Sequence, residues 1–280
     1  MQILRSVREL RTWSRTQRAA GKTVGLVPTM GALHAGHASL MRAAVASCDR
    51  VVVSIFVNPT QFGPNEDFDR YPRTFEADCK LAEEADVAAI FAPAVEEIYT
   101  AGAETYVDAG ALSSKLDGGS RPGHFRGVAT IVAKLFIAAE PDRAFFGQKD
   151  AAQVAVLRRM TRDLGFALEL VVCPIVREAD GLALSSRNAY LSAEERRQAL
   201  TLSRAVHFVA ALFAEGERSP EALREAARGI LATAPAVRVD YIELVDWNTL
   251  EPLGAATPGA LFAVAAWVGA TRLIDNTVLG

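Results

Sequence analysis

Arg50 to Val57 reads R-V-V-V-S-I-F-V, and this run limits the possible folds more than any other stretch of the chain. Successive side chains of a strand point to opposite faces, so an apolar residue at nearly every position needs cover on both. A half-exposed strand would alternate apolar with polar. The run therefore predicts a central strand of a parallel sheet with helices on either side. The flanking sequence supplies the rest in alternation. Strands are expected over 23–27, 87–91, 143–146 and 167–173, and helices over 1–20, 37–48, 74–85, from 124 past Phe136, and after the turn 147–150 to Leu164 with Gly165 as cap. This alternation argues an α/β fold with a doubly wound parallel sheet. Polar loops are expected over 62–73, long enough for a lid, and over 107–123.

Near Pro174 the pattern changes. Residues 175–188 read as a hairpin-like connection around Asp180-Gly181. Ser192 to Glu195 is a capping box opening a helix through Ala214, and Ser219-Pro220 opens another. Strands over 239–245, 261–268 and 271–278 complete a small α+β domain. The boundary falls near 175–185, giving domains 1–180 and 181–280.

A second stretch, Pro28 to His37, reads P-T-M-G-A-L-H-A-G-H directly after the strand 23–27. Leu40, Met41, Ala44 and Val45 follow at helical spacing. The stretch is therefore a strand-to-helix turn, with Gly31 and Gly36 freeing the backbone. Two of the chain's four histidines, His34 and His37, stand three apart where the helix opens. A helix N-terminus offers unpaired N–H groups and partial positive charge, which suit phosphate. The glycine spacing makes neither a dinucleotide fingerprint nor, at Gly21-Lys22, a P-loop.

Three further polar clusters stand at strand ends or at the boundary. They are Asn58 with Gln61; Gly147-Gln148-Lys149-Asp150 with Gln153; and Leu184-Ser185-Ser186-Arg187-Asn188. Each alone reads equally as an ordinary turn. Together they put neutral hydrogen-bonders and two cations around one sheet edge, where open α/β sheets bind ligands.

Composition removes other classes. The 280 residues are half hydrophobic with a formal net charge of −3, so no bulk basic field recruits nucleic acid or anionic membrane. No apolar run is long enough to span a bilayer. Arg5, Arg8, Arg11, Arg15 and Arg18 read as a solvated helix face rather than a signal peptide. The three cysteines are far apart, which favours reduced buried thiols and a cytoplasmic location.

The H-x-G-H turn resembles the first signature of nucleotidyltransferases and class I aminoacyl-tRNA synthetases, which attack the α-phosphate of ATP. With F-V-N-P-T-Q-F, R-P-G-H-F-R-G-V, F-G-Q-K-D-A-A-Q and L-S-S-R-N in the same order, the chain resembles the pantothenate synthetase (pantoate–β-alanine ligase) family. The motifs span Pro28 to Asn188. The resemblance implies a Rossmann-like plan, with 1–180 holding ATP and pantoate and 181–280 covering the site. It implies a two-step ligation through pantoyl adenylate, use of Mg²⁺, and a homodimer formed through the N-terminal domain. It gives no metal ligands.

By the same resemblance His34, His37, Lys149 and Arg187 are catalytic. The ATP site takes Met30, Gly31, His34, Gly36, His37, Gly147, Gln148, Lys149, Asp150, Val176, Leu184, Ser185, Ser186 and Arg187. Gln61 and Gln153 bind pantoate, Asn58 and Gln61 serve β-alanine, and His124 and Arg126 either support the site from behind or lie on the β-alanine side. The family names His37 as proton donor, although a carboxylate attacking phosphate needs no base. A nucleotidyltransferase acting on a different small acceptor is the alternative, and it would not need Gln61 and Gln153. A non-catalytic nucleotide-binding module fits less well with both motif cations intact. A tRNA synthetase fits less well with no basic patch.

Overall fold

The computed structural model describes residues 1–64, 66 and 68–280. The loop expected as a lid over 62–73 includes Asn65 and Asp67, which lie outside the described residues. The chain forms two compact units. The first takes 1–114, 121–147 and 156–173; the second takes 115–120, 148–155 and 174–280.

In chain order come β1 (Gln2–Leu4), α1 (Val7–Ala19), β2 (Val24–Thr29), α2 (Ala35–Ser47), β3 (Arg50–Ile55), α3 (Phe75–Glu84), β4 (Ala89–Phe91), a short α4 (Val95–Ile98), a short α5 (Asp117–Ser120), α6 (His124–Ala139), β5 (Arg143–Gly147), α7 (Ala151–Asp163) and β6 (Glu169–Cys173). The strands of the first unit form one parallel sheet in the order β1-β4-β3-β2-β5-β6. Val51, Val52 and Val53 of β3 are each at most 1% exposed, as a strand covered on both faces requires. Val51 and Val53 share a cluster with Met41 and Ala44 of α2. Val52, out of phase with them, faces the opposite layer. α1 and α6 pack on one another and on β2. Full burial of one valine contributes about 1.5–3 kcal/mol, so this strand fixes the centre of the sheet.

Two expectations are corrected. The helix expected over 1–20 starts only at Val7, because Gln2–Leu4 pair with β4 as an edge strand that buries Leu4. The start of α1 is set by a capping box. Ser6 Oγ accepts from the Glu9 N–H at 3.2 Å, and the Glu9 carboxylate accepts from the Ser6 N–H at 2.9 Å. The loop expected over 107–123 also contains helical turns at Gly110–Ser114 and in α5.

The second unit adds α8 (Ala193–Ala214), α9 (Pro220–Leu231), β7 (Val237–Val245), β8 (Leu261–Val268) and β9 (Thr271–Val278). The three strands form an antiparallel sheet with β8 in the middle. α8 lies on β8 and β9, and α9 on α8 and β7. Leu202, Val206, Phe213, Leu223 and Leu231 of the helices close a core with Phe262, Val264 and Leu273 of the strands. Ser192 and Glu195 form the expected capping box, and Pro220 opens α9.

Candidate active site

β2 runs out at Thr29, and the chain turns through Gly31 (φ +85°) and Ala32 (φ +48°) before α2 begins. Gly31 is needed twice over. Its φ favours glycine, and a Cβ there would lie 3.0 Å from both Asp78 Oδ2 and Ile55 Cγ2. Asp78, buried on α3, accepts from the N–H groups of Ala32 at 3.0 Å and Leu33 at 2.8 Å, and from the Thr74 hydroxyl at 3.0 Å. The Thr29 hydroxyl donates to Ser54 O at 2.6 Å and accepts from the Gly31 N–H at 3.2 Å. The turn is thus held from β3 and from α3.

His34 is the N-cap of α2 and His37 its third residue. The Gly36 N–H donates to His34 Nδ1 at 3.1 Å, and the His34 N–H donates to His37 Nδ1 at 3.3 Å. The ring centroids are 4.1 Å apart. An Nδ1 that accepts carries no proton, so the neutral ring bears its proton on Nε2. The capping bonds therefore put the proton of each neutral ring on Nε2, beside a helix end whose dipole favours anions.

Asn58, 1% exposed, caps the turn Pro59–Gln61 after β3. Its Nδ2 donates to Gln61 Oε1 at 3.0 Å and to Gly127 O at 3.1 Å. Gln61 Nε2 donates to Met30 Sδ at 3.0 Å, which joins this turn to the histidine turn. α6 meets the turn at Gly127, where a Cβ would fall 2.3 Å from Thr60 O. Arg121 grips Glu66 through two bonds of 2.7 and 2.6 Å. Its Nη1 lies 3.0 Å from His124 Nε2, so His124 Nδ1 is the donor to Gln61 O at 2.8 Å. Burial pushes the Glu66 carboxyl up, but the hydrogen bonds and charge of Arg121 outweigh it and hold the group below its usual value. Arg126 lies over the Tyr106 ring, 4.0 Å from its centre.

In the second unit, Gln148–Asp150 form a helical turn just after Gly147 and lead into α7. Asn276 of β9, 3% exposed, holds that turn. Its Nδ2 donates to Gln148 O at 3.1 Å and Lys149 O at 2.9 Å, and its Oδ1 accepts from Gln148 Nε2 at 3.2 Å. Lys149 Nζ is 3.7 Å from Asp150 Oδ1. Gln153 stands in the first turn of α7, half-buried. The neighbouring Asp275 is buried against Arg177, with bonds of 2.6 and 2.9 Å. Arg177 bridges to Ala183 across a hairpin turning at Gly181, and the Leu184 N–H donates to Val176 O at 2.9 Å. Ser185 caps the turn Ser186–Tyr190 by accepting from the Arg187 N–H at 3.3 Å. Asn188 Nδ2 ties that turn to Ala183 O at 3.1 Å and to Glu178 at 2.6 Å. Hydrogen bonds from Arg196 hold the Glu178 carboxyl below its usual value.

The first unit thus brings together Met30, Gly31, His34, Gly36, His37, Asn58 and Gln61. The second carries Gln148, Lys149, Asp150 and Gln153 in one segment, and Val176 with Leu184 to Arg187 in another, both anchored on Asp275-Asn276. The residues that hold these groups escaped the sequence reading. Asp275-Asn276 interrupts an otherwise strand-like pattern and was a legible signal. Gly127 was another, as a glycine inside an apolar helix. Asp78, in the first turn of a helix, carried none. Among the described residues no three His, Cys, Asp or Glu side chains gather as a metal-binding group.

Fold and site define a Rossmann-like α/β protein with a histidine-capped helix opening at the carboxyl edge of its parallel sheet. Residues 2–278 match the family model of pantoate-beta-alanine ligase, and the chain belongs to that family. The pantothenate synthetase of Acidobacterium capsulatum is 63% identical over all of this chain and 95% of its own length. That of Thermotoga neapolitana is 54% identical, with both chains covered completely. The crystal structure of pantothenate synthetase from Thermus thermophilus matches with a TM-score of 0.92 at 47% identity, over 99% of each chain. The pantoate-beta-alanine ligase of Francisella tularensis, solved with beta-gamma ATP and beta-alanine, matches with a TM-score of 0.79 at 30% identity, over 99% of this chain and 97% of that one.

Proposed function

We propose that the chain condenses pantoate with β-alanine at the expense of ATP, through a pantoyl-adenylate intermediate. The observation that carries this reading is the reciprocal cap of His34 and His37 at the sheet edge, in a chain of this family. A pantoate carboxylate oxygen attacks the α-phosphorus, and pyrophosphate leaves with the electrons of the broken P–O bond. The neutral amine of β-alanine then attacks the activated carbonyl carbon. AMP leaves with the acyl C–O bonding pair, and the amine gives up a proton, so that pantothenate forms.

Charge builds on pyrophosphate as it departs. The Nε2–H groups of His34 and His37, fixed in advance by their caps, are placed to donate to it. His37 needs only to donate a hydrogen bond, not a proton. Lys149 and Arg187 supply positive charge to the phosphates, and Ser185 and Ser186 supply hydroxyls. The backbone at Met30 and Gly147 contacts ATP, Gly31, Gly36, Gln148, Val176 and Leu184 belong to the same ATP site, and Asp150 accepts from the ribose or steadies Lys149. Gln61 and Gln153 recognise pantoate without adding a negative charge beside an anion. Asn58 serves the β-alanine side by holding Gln61, since its own two N–H groups are spent inside the protein.

Mg²⁺ enters on the phosphate oxygens of ATP as part of that substrate. Mg²⁺ commonly keeps its waters and binds through nucleotide phosphates, and no step here is routed through the metal. A homodimer in the cytoplasm completes the reading, on the family likeness. Among the described residues no helix is long and apolar enough to cross a membrane. The test is the nucleotide product. With all three substrates, one AMP and one pyrophosphate should appear per pantothenate. ADP with orthophosphate would overturn the reading in favour of an acyl-phosphate route.

A further inference from the structure

Asn58 accepts and donates with no capacity unused. Its Oδ1 takes the Tyr99 hydroxyl at 2.8 Å, the Thr60 hydroxyl at 3.0 Å and the Thr60 N–H at 3.4 Å. Its Nδ2 faces two acceptors, Gln61 Oε1 and Gly127 O. Turned end for end, the amide would set N–H against the Thr60 N–H and oxygen against Gly127 O, so these two backbone groups of fixed polarity choose its orientation and the two hydroxyls reinforce it. That choice passes on to Gln61. With Oε1 held by Asn58, the Gln61 nitrogen points away, with one N–H to Met30 Sδ and the second left for a ligand oxygen.

Tyr99 is itself firmly placed. It caps α4 through an N–H bond to Val95 O at 2.8 Å, and its ring lies 6.3 Å from the Phe56 ring by centroids and 5.5 Å from Lys134 Nζ. Lys134 is held in turn by donating to Ile98 O at 2.9 Å. Burial pushes the phenol above its usual value, so the hydroxyl keeps its proton and remains a donor near neutral pH.

We infer that Tyr99 is a positioning residue for the acid substrate, holding Asn58 and, through it, the Gln61 amide in the pose that turns its nitrogen to pantoate. The inference rests on the assignment of Gln61 to pantoate. A misplaced Gln61 would offer an oxygen to a carboxylate, so the effect belongs to pantoate affinity and not to ATP.

The experiment is a double-mutant cycle of Tyr99→Phe and Gln61→Ala, with KM for pantoate and ATP, kcat and melting temperature measured for each. Tyr99→Phe should raise the pantoate KM about five- to tenfold, the scale of one lost hydrogen bond, with ATP KM and kcat held. Added to Gln61→Ala, it should raise the pantoate KM no further. An equal rise in both backgrounds, a parallel rise in ATP KM, or no rise at all would overturn the inference and leave Tyr99 structural. A pantoate KM unchanged by Gln61→Ala alone would instead remove Gln61 from the acid pocket, and the inference with it. Should Tyr99→Phe fail to fold, Thr60→Val removes the other hydroxyl on the same Asn58 oxygen and must reproduce the same split between substrates.

Discussion

His34 and His37 each use one ring for two purposes. Nδ1 closes the helix cap, and that bond puts the ring proton on Nε2 and fixes its direction. Removing His37 should therefore be felt in both places, but unequally. Loss of one preorganised donor typically lowers kcat about 10²- to 10³-fold. Loss of a cap costs about 0.5–2 kcal/mol, and the His37 bond is long at 3.3 Å, so the lower end applies. His37→Ala should thus turn over at least a hundredfold more slowly while melting only a few degrees lower, as steady-state kinetics beside thermal unfolding would reveal. Near-normal turnover with a large fall in melting temperature would make His37 a structural cap alone. The histidine pair was legible in the sequence because two histidines fell at a strand-to-helix turn. Its tautomers were not, since they depend on which backbone N–H groups meet which ring nitrogen.

Among elements, α6 governs the Asn58–Gln61 turn by how closely it approaches. Gly127 is the point of contact, and a methyl group there would overlap Thr60 O. Gly127→Ala must push α6 or the turn aside. Overpacking of this kind costs about 1–3 kcal/mol, and the shift falls on Gln61. The variant should melt several degrees lower and bind pantoate more weakly, with ATP affinity less changed; titration calorimetry with each ligand separates the two. An unchanged pantoate affinity would show that the turn does not carry the acid pocket. Helix existence was largely legible from apolar spacing, but the true start of α1 was masked. Ile3 and Leu4 fit a helical face as well as a strand, and only pairing with β4 decides between them. The capping box at Ser6 and Glu9 marked the boundary all the same.

At the scale of the molecule, the β-branched run of β3 and the alternation around it were enough to specify a covered parallel sheet. The polar turns after β2 and β3 follow the carboxyl ends of two of its strands. What local pattern could not carry was long-range support. Asn276 reaches back over a hundred residues to hold the Gln148–Lys149 backbone, and segments 115–120 and 148–155 join the second unit although sequence order sets them amid the first. Such contacts follow from tertiary packing, which short windows of sequence do not encode. The central claim is that this chain activates pantoate as an adenylate before it uses the amine. The direct measurement is exchange of labelled pyrophosphate into ATP with pantoate present and β-alanine left out. Exchange that requires pantoate and proceeds without the amine is the predicted result. No exchange until β-alanine is added, in a preparation that then makes pantothenate at full rate, would contradict it.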